Sequence, residues 1–417
     1  MKRIPGYNDI YNNKNININN REFTIYHFFL LKEIILYYDL VFDLVIYISI
    51  IANNLKIPII LCLTGYTLIF NNNKIFSTNY NKYGIIQKYN KCNKFKKINY
   101  FLEEKIISIL ECDNDTLLLT ENGNLYVIGE NMCGKLCVGH GSKVTILTKV
   151  NFFNNMKIIQ IASGYNHTMI LTNKGLFGVG DHHWGQLGLS ETEINNYPIN
   201  SIQKINFFND KKIVSIYCGY RFTIILTDDN SLFVMGNNEK GQLGLSAKKI
   251  ITPEKNNFFN NMKIISISCG FSHILILTDN GLYNMGRHDC NQLGTMLNIY
   301  EPTKINFFNN MNIISISCGN SYSLVLTDKG LFGIGSNIYG RLGLHYGVNY
   351  IDSAYHTDIP LKIPLPFDVI SISAGTYHSI IVSKNGDLYS TGYNAQGQLG
   401  LKDTKDRYEF TKIDFKF

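Results

Sequence analysis

A unit of about 50 residues recurs along this 417-residue chain and limits the folds that the chain can adopt. Two clear copies, IISISCGFSHILILTDNGLYNMGRHDCNQLG and IISISCGNSYSLVLTDKGLFGIGSNIYGRLG, begin at Ile264 and Ile313. The G-Q-L-G-type motif that ends each copy starts at Gly84, Gly134, Gly185, Gly241, Asn291, Gly340 and Gly397. Seven copies separated by 49 to 57 residues predict seven neighbouring units of one architecture, in place of several unrelated domains.

Each unit has the pattern of four short β-strands. The segment I-I-S-I-S-C alternates large and small residues, and the run HILILT after it is continuously apolar, as in a strand buried on both sides. A hairpin turn such as Thr278-Asp279-Asn280-Gly281 follows, with glycine where a positive φ is needed. GLYNMG then predicts a third strand, and KINFFNN, Lys304 to Asn310, predicts a fourth. Repeated seven times, this pattern predicts an all-β fold, a seven-bladed β-propeller.

The C-terminal residues suggest how such a ring closes. Thr411-Lys412-Ile413-Asp414-Phe415 repeats Thr303-Lys304-Ile305-Asn306-Phe307, and no complete unit follows it. An open ring leaves two bare sheet edges, so we expect Phe410–Phe417 to pair with the first blade, which begins near Ile50. Residues 45–417 would then form the propeller, closed by the C-terminal strand.

Residues 1–44 form an extension of different composition. Met1 to Asn20 is rich in asparagine and is expected to be disordered. Phe28 to Ile51 is strongly apolar but is interrupted by Lys32, Glu33, Asp39 and Asp43. Each charge at a helix centre costs about 2.5–3.5 kcal/mol on the membrane-insertion scale, which offsets the apolar gain. An amphipathic helix packed on the propeller is therefore favoured over strands or a membrane anchor.

The overall charge and the cysteines argue for an intracellular protein, cytoplasmic or nuclear. The formal net charge is +7, and no dense run of basic residues marks a nucleic-acid footprint. None of the nine cysteines lies in a C-x-x-C pair, which excludes a recognisable zinc motif and fits a reducing compartment.

Two groups of potentially reactive side chains recur because their members occupy equivalent positions in the repeat. His167, His273 and His378 share one position with Phe222 and Tyr322, and a catalytic or metal-binding role would not accept phenylalanine. The cysteines before glycine at Cys218, Cys269 and Cys318 would lie on a ring, too far apart for Zn–S bonds near 2.3 Å. Both groups are predicted to be packing residues, and no catalytic residue and no cofactor are expected.

The loops that break the repeat are the candidate binding elements. The segment Asp181-His182-His183-Trp184 admits three interpretations: partner contact, loop packing or a metal site. The connections Ser190–Gln203 and His345–Ile363 exceed the usual length, and extra length in a rigid repeat often carries function. The candidate partner-binding residues are Asp181, His182, His183, Trp184, Glu191, Glu193, Arg287, His288, Tyr355 and His356.

The string C-G-x-x-H-x-x-x-L-T-x-x-G-x-L-Y-x-x-G-x-N-x-x-G-Q-L-G resembles the regulator of chromosome condensation family over roughly residues 45–417. The resemblance implies a seven-bladed propeller whose founding members bind a Ran-type GTPase on one face and speed nucleotide release. A wedge after the third motif acts in that reaction, and here Ser190–Gln203 follows Gly185–Gly188. Ultraviolet sensing of the kind found in a plant relative is not expected, because Trp184 is the only tryptophan.

The same resemblance frames the expected partners. Founding members bind chromatin with the other face and carry a basic tail. The first residues here hold only Lys2, Arg3, Lys14 and Arg21, so the sequence gives little support to chromatin binding by such a tail. The leading interpretation is a monomeric protein-interaction scaffold, and the alternative is a guanine-nucleotide exchange factor for a Ran-type small GTPase. Neither requires a small-molecule substrate, and membrane association is not expected.

Overall fold

The structure, a computed structural model, describes residues 59–62, 66–71, 74–78, 93–98, 104–112, 114–190, 198–287, 299–345 and 356–415. The predicted N-terminal extension, residues 1–44, and its apolar segment, residues 28–51, lie outside the described residues. Ile51–Phe417 forms one compact unit.

The described residues form seven antiparallel sheets of four strands each, and within every sheet the strands follow chain order. This confirms the predicted seven-bladed β-propeller. The first four blades are β1 to β4 (Ile59–Cys62, Thr67–Asn71, Lys74–Ser77, Lys96–Ile98), β5 to β8 (Ile106–Cys112, Asp115–Thr120, Leu125–Gly129, Val144–Lys149), β9 to β12 (Ile158–Ser163, His167–Thr172, Gly175–Gly180, Ile199–Lys204) and β13 to β16 (Ile213–Cys218, Phe222–Thr227, Leu232–Asn237, Lys249–Lys255).

The other three blades are β17 to β20 (Ile264–Cys269, His273–Thr278, Gly281–Gly286, Ile299–Lys304), β21 to β24 (Ile313–Cys318, Tyr322–Thr327, Gly330–Ser336, His356–Lys362) and β25 to β28 (Val369–Ala374, His378–Ser383, Leu388–Gly392, Arg407–Lys412). Short 3-10 helices lie at Met132–Gly134, Asn151–Phe153, Asn206–Phe208, Asn257–Phe259, Asn306–Phe308 and Ile338–Gly340.

The position of each strand in its blade follows from its apolar pattern. The second strands of blades 2 to 7 are buried along their whole length, as their continuous apolar runs predict. From blade 2 round to blade 1, first strands of successive blades contact one another, so they line the central axis, and the fourth strands lie at the periphery. This radial order places the most apolar strands between two neighbouring blades.

The antiparallel order gives the disc two distinct faces. The face named here the loop face carries the turns between first and second strands and the connections between third and fourth strands. The opposite face, named the turn face, carries the hairpin turns between second and third strands. It also carries the connectors from each fourth strand to the next blade.

The fourth strand begins and ends earlier than the sequence suggested. The prediction that KINFFNN forms this strand was wrong, because β20 ends at Lys304 and Asn306–Phe308 forms a 3-10 helix. The connector must turn inward from the rim to the axis, and the tight helix directs Phe308 into the core. Correspondingly, the connections predicted over 190–203 and 345–363 overlap the rim strands β12 and β24.

The prediction that the C-terminal strand pairs with the first blade was also wrong. Arg407–Lys412 is β28, the fourth strand of blade 7, and pairs with β27, while blade 1 supplies all four of its own strands. The C-terminal copy is complete as a blade, because a blade ends with its fourth strand and not with the connector after it. No strand is exchanged across the seam between blades 7 and 1 in the described residues.

Side-chain contacts seal this seam instead. The Cys62 N–H donates to Ser373 Oγ at 3.3 Å, just as the Cys318 N–H donates to Ser268 Oγ at 2.9 Å between blades 5 and 6. Phe415, which follows β28, packs on Phe76 with ring centroids 4.9 Å apart. The ring therefore closes by repeating the interface that joins the other blades.

Candidate functional site

In the five blades whose motif the structure describes, blades 2, 3, 4, 6 and 7, one buried polar side chain organises the connection on the loop face. Asn238 Oδ1 accepts the Leu243 N–H at 2.7 Å, and its Nδ2 donates to the carbonyl oxygen of Leu245 at 2.7 Å. Asn131, Asn337 and Asn394 accept the equivalent leucine N–H in their own blades. The amide has both a donor and an acceptor, so one side chain can fold the whole loop.

His182 takes the place of this asparagine in blade 3. Its Nδ1 accepts the Leu187 N–H at 3.1 Å, and its Nε2 lies 2.9 Å from the carbonyl oxygen of Leu189. The neutral imidazole with hydrogen on Nε2 reproduces the donor and acceptor of the amide. At 1% exposure, His182 is a loop-packing residue, and the prediction that it contacts a partner is corrected accordingly.

Two of these loops are also anchored to the next blade by a basic side chain. Lys135 Nζ donates to the Tyr165 carbonyl at 2.7 Å and forms a buried ion pair with Asp115 at 3.0 Å. At the equivalent position in blade 6, Arg341 Nη1 donates to the Thr376 carbonyl at 3.1 Å. These bonds cross from blade 2 to blade 3 and from blade 6 to blade 7. They make the loop face a continuous, rigid platform at those boundaries.

Two consecutive side chains in the middle of each described motif are displayed on this platform. Their identity changes from blade to blade while the surrounding motif stays the same, and at least one of the two is exposed. These displayed pairs are Met132 and Cys133, His183 and Trp184, Glu239 and Lys240, Ile338 and Tyr339, and Ala395 and Gln396. A repeated frame with variable displayed residues can recognise a partner without a change in the fold.

Aromatic residues concentrate near these pairs. Tyr220 stacks between Tyr165 and Phe271, with ring centroids at 4.5 and 3.8 Å, and the Arg221 guanidinium lies 5.0 Å from the Tyr220 ring. All four residues belong to the turns between first and second strands, and they are half-buried. Sequence reasoning missed them, although an aromatic residue directly after the glycine that follows three first strands was a visible signal.

A second aromatic cluster lies on the loop face at blades 6 and 7. Tyr339 is 40% exposed and contacts Tyr393 and Tyr377, with ring centroids 4.9 and 6.1 Å away. Arg341 lies 5.8 Å from the Tyr377 ring. The rings touch one another, so the cluster presents an aromatic surface.

The structure brings only part of the predicted site together. Asp181 Oδ1 accepts the His183 N–H at 2.9 Å, and exposed His183 packs edge-on against half-buried Trp184. Arg287, at the end of β19, and His356, at the start of β24, are half-buried in other blades. Glu191, Glu193, His288 and Tyr355 lie outside the described residues.

The repeat-position histidines are packing residues, as predicted. His167, His273 and His378 are fully buried, and each Nε2 contacts a hydroxyl oxygen of the next blade at 2.8–3.0 Å. Burial lowers the pKa of His167 and His378 to about 3 and that of His273 to about 4, so all three are neutral at pH 7. They therefore join blades as neutral hydrogen-bonding groups.

The cysteines that precede glycine at equivalent positions of the repeat are likewise unreactive. Burial raises the pKa of Cys318 to about 11 and that of Cys269 well above its usual range, so both thiols stay protonated. Across the described ranges no three His, Cys, Asp or Glu side chains are grouped so as to hold a metal ion. The described part of the chain also has no helix of the length and apolarity that a membrane crossing requires.

Comparison with known sequences extends these observations. The model of the RCC1-like domain matches residues 75–417. The human X-linked retinitis pigmentosa GTPase regulator is 30% identical over 247 residues, which are 46% of this chain and 24% of that protein. The ultraviolet-B receptor UVR8 of Arabidopsis thaliana is 29% identical over 306 residues, 72% of this chain and 56% of the receptor. The chain thus spans less than two thirds of these relatives.

Solved structures agree on the fold. Yeast RCC1 (Prp20) bound to Kap60 superimposes with a TM-score of 0.71 at 23% identity, covering 85% of each chain. Human WBSCR16 gives a TM-score of 0.66 at 23% identity, covering 78% of this chain and 85% of the other. With a family model that covers most of the sequence and a propeller of the same form, this chain belongs to the RCC1-like domain family.

Proposed function

We propose that this propeller is a protein-interaction scaffold that binds a protein partner on its loop face. The observation that carries the proposal is the set of displayed pairs. Their residues differ from blade to blade, whereas the hydrogen-bonded motif that holds them stays the same. Trp184, Tyr339 and the stacked Tyr220 are large, partly exposed aromatic residues on that frame, with Arg221 over the Tyr220 ring. Tryptophan, tyrosine and arginine are the residue types that dominate binding energy at protein interfaces.

Rigidity supports this role. Loops that are already held by buried hydrogen bonds lose little conformational entropy on binding, so more of the contact energy contributes to affinity. The longer connections between third and fourth strands join strand ends that lie on the loop face, and we propose that they extend the candidate surface. Arg287 and the residues at 191, 193, 288 and 355 remain candidate contacts within it.

The scaffold proposal is tested by affinity capture with the full chain, followed by binding measurements with the captured partner. Trp184→Ala and Tyr339→Ala are each expected to weaken the complex at least tenfold, as about 2 kcal/mol for an interface hot spot implies. Ile146→Ala is the matched control, because Ile146 is a 72% exposed apolar residue on rim strand β8. Equal loss with all three variants would refute the loop-face assignment.

Guanine-nucleotide exchange on a Ran-type GTPase is the second candidate. The longer connection after Gly185–Gly188 favours it. Yeast Prp20p, which was solved together with a study of its binding to Gsp1p and histones, superimposes with a TM-score of 0.71 at 23% identity. Release of labelled GDP from Ran-type GTPases decides between the two. Acceleration by orders of magnitude supports exchange, and no acceleration across several GTPases leaves the scaffold function.

A further inference from the structure

The turn face carries a repeated feature that the loop-face function does not use. Four connectors contain the sequence N-F-F, whose second phenylalanine is buried and whose first is exposed. The exposed members are Phe152 at 47% and Phe207, Phe258 and Phe307 at 43% each. They are four of the nine large exposed hydrophobic residues in the described chain, and all four occupy one equivalent position.

These rings are held in place. Phe207 packs edge-on against Phe208 and Phe233, with ring centroids at 5.0 and 5.6 Å. Phe258 makes the equivalent contacts with Phe259 and Tyr283 at 5.1 and 5.6 Å. The outer part of each ring therefore projects from the turn face in a fixed orientation, at the same depth in successive blades.

Lysines accompany the rings. In all seven blades, a lysine near the end of the fourth strand pairs across the sheet with an aromatic residue of the third strand, as Lys204 does with Phe177. A further lysine follows three of the exposed rings. The lysines on the two sides of Phe152, Phe207 and Phe258 are, in order, Lys149 and Lys157, Lys204 and Lys211, and Lys255 and Lys263.

The acidic residues near the four rings are engaged locally or lie beside lysines. Asp279 and Asp328 each accept a backbone N–H at 2.9 Å from the start of their own blade. Asp229 accepts from the Thr227 and Ser231 side chains, and Asp228 lies 3.8 Å from Lys212. Glu254 and Asp210 are exposed beside lysines. Counting Lys304 beside Phe307, seven lysines flank the four rings against these six acids, so this part of the face favours an anionic partner.

We infer that the turn face docks on an anionic phospholipid surface, with the exposed phenylalanines entering the interfacial layer and the lysines contacting the headgroups. Aromatic rings with surrounding basic residues are the combination that holds proteins at a membrane interface. Equivalent positions of a propeller lie in one plane, so a flat bilayer can meet all four rings together. A nucleic-acid duplex, which is a rod, would reach only some of them.

This inference is independent of the proposed function, because it concerns the opposite face. Docking by the turn face would leave the loop face directed away from the membrane and available to a protein partner. Membrane insertion of the apolar segment 28–51 would be a different mode of association, and the variants below distinguish it from docking by the turn face.

The test is co-sedimentation of the full chain with vesicles of phosphatidylcholine alone and of phosphatidylcholine with about a third phosphatidylserine. We expect binding to the anionic vesicles only, and weaker binding at higher salt. Lys204→Gln with Lys255→Gln should lower the partition coefficient about 25-fold, at about fivefold per lysine. Phe207→Ser with Phe258→Ser should lower it by about tenfold per ring.

Matched controls lie away from the turn face. Lys240→Gln with Lys248→Gln removes two exposed lysines from the loop-face side, and Ile146→Ser removes an exposed apolar residue from the rim. Both should leave vesicle binding unchanged. Absence of binding, or equal losses in the control and turn-face variants, would overturn the inference. Binding that no variant alters would also overturn it, and would assign the association to another segment, such as residues 28–51.

A spectroscopic readout covers the case in which the serine variants fold poorly. Phe258→Trp in a Trp184→Phe background should show a blue-shifted emission and quenching by brominated lipid on anionic vesicles. Ile146→Trp in the same background should show neither. An unquenched Trp at position 258 in vesicle-bound protein would contradict the inference. DNA binding that depends on the lysines alone, in a protein that does not bind vesicles, would also contradict the inference.

Discussion

Mild acid should destabilise the propeller through its three buried histidines. An unfolded histidine has a pKa of about 6.5, whereas burial holds the folded values at about 3 for His167 and His378 and at about 4 for His273. Between these values the unfolded chain binds more protons than the folded chain. Stability is therefore fully present above pH 6.5 and is lost as the pH falls.

The size of the effect follows from the same values. At pH 5, proton linkage lowers the free energy of unfolding by about 2 kcal/mol for each histidine, and by about 6 kcal/mol for the three together. That loss is a large part of the total stability of a typical domain, about 5–15 kcal/mol. Urea unfolding between pH 8 and pH 5 measures it directly.

One blade interface offers a variant that isolates a single histidine. His273 Nε2 contacts Ser323 Oγ at 2.9 Å, whereas the equivalent residues one blade earlier are Phe222 and Ile274, both fully buried in one apolar cluster. His273→Phe with Ser323→Ile copies the apolar pair. We expect stability within about 1.5 kcal/mol of the parent at pH 8, and about 2 kcal/mol less acid destabilisation at pH 5.

Exposed His183 provides the control, since His183→Gln should leave the pH dependence of unfolding as it is in the parent. If the paired variant lost stability with acid as steeply as the parent, the buried histidines would not be the source of the effect. The structural account of that interface would then be refuted.

Three further changes test other parts of the structure. Gly319→Ala should lower the free energy of unfolding in urea by more than about 3 kcal/mol, because the new Cβ would lie 2.5 Å from the Gly375 carbonyl oxygen. Gly386→Ala, with open space around it, should lower it by only about 1 kcal/mol. Similar losses in the two variants would contradict the packing at Gly319. Asp115→Asn should cost about 3–5 kcal/mol, because it leaves the Lys135 ammonium buried without its carboxylate, and a loss below about 1 kcal/mol would show that the pair is not needed. Replacing residues 191–197 by a short linker should preserve the melting temperature and weaken partner binding, and unchanged affinity would exclude that connection from the site.

The sequence predicted the blade count and the inner strands because those strands carry strong periodic signals. The continuous apolar run of Phe222–Thr227 predicts an inner strand of a blade, which the two neighbouring blades bury on both faces. The fourth strands were misplaced because most of their residues are half-buried or exposed, so a strand such as Ile199–Lys204 lacks a clear apolar pattern. That error produced the incorrect closure by Phe410–Phe417.

The site was harder to predict than the fold. His182 and His183 are adjacent in the sequence, yet one is the buried organiser of a loop and the other is exposed. Only its alignment with Asn238 in the repeat would have separated the two roles. The Tyr220 stack depends on neighbouring blades bringing three turns together, which no local pattern encodes.

Site-specific photo-crosslinking tests the central claim, which is that the loop face holds the protein partner. A photo-reactive amino acid would be placed, one at a time, at the displayed positions His183 and Tyr339 on the loop face, and at the exposed positions Ile146 on the rim and Phe307 on the turn face. The account predicts covalent capture of the purified partner from positions 183 and 339 and none from positions 146 and 307. Capture from position 307 without capture from the loop-face positions would contradict it.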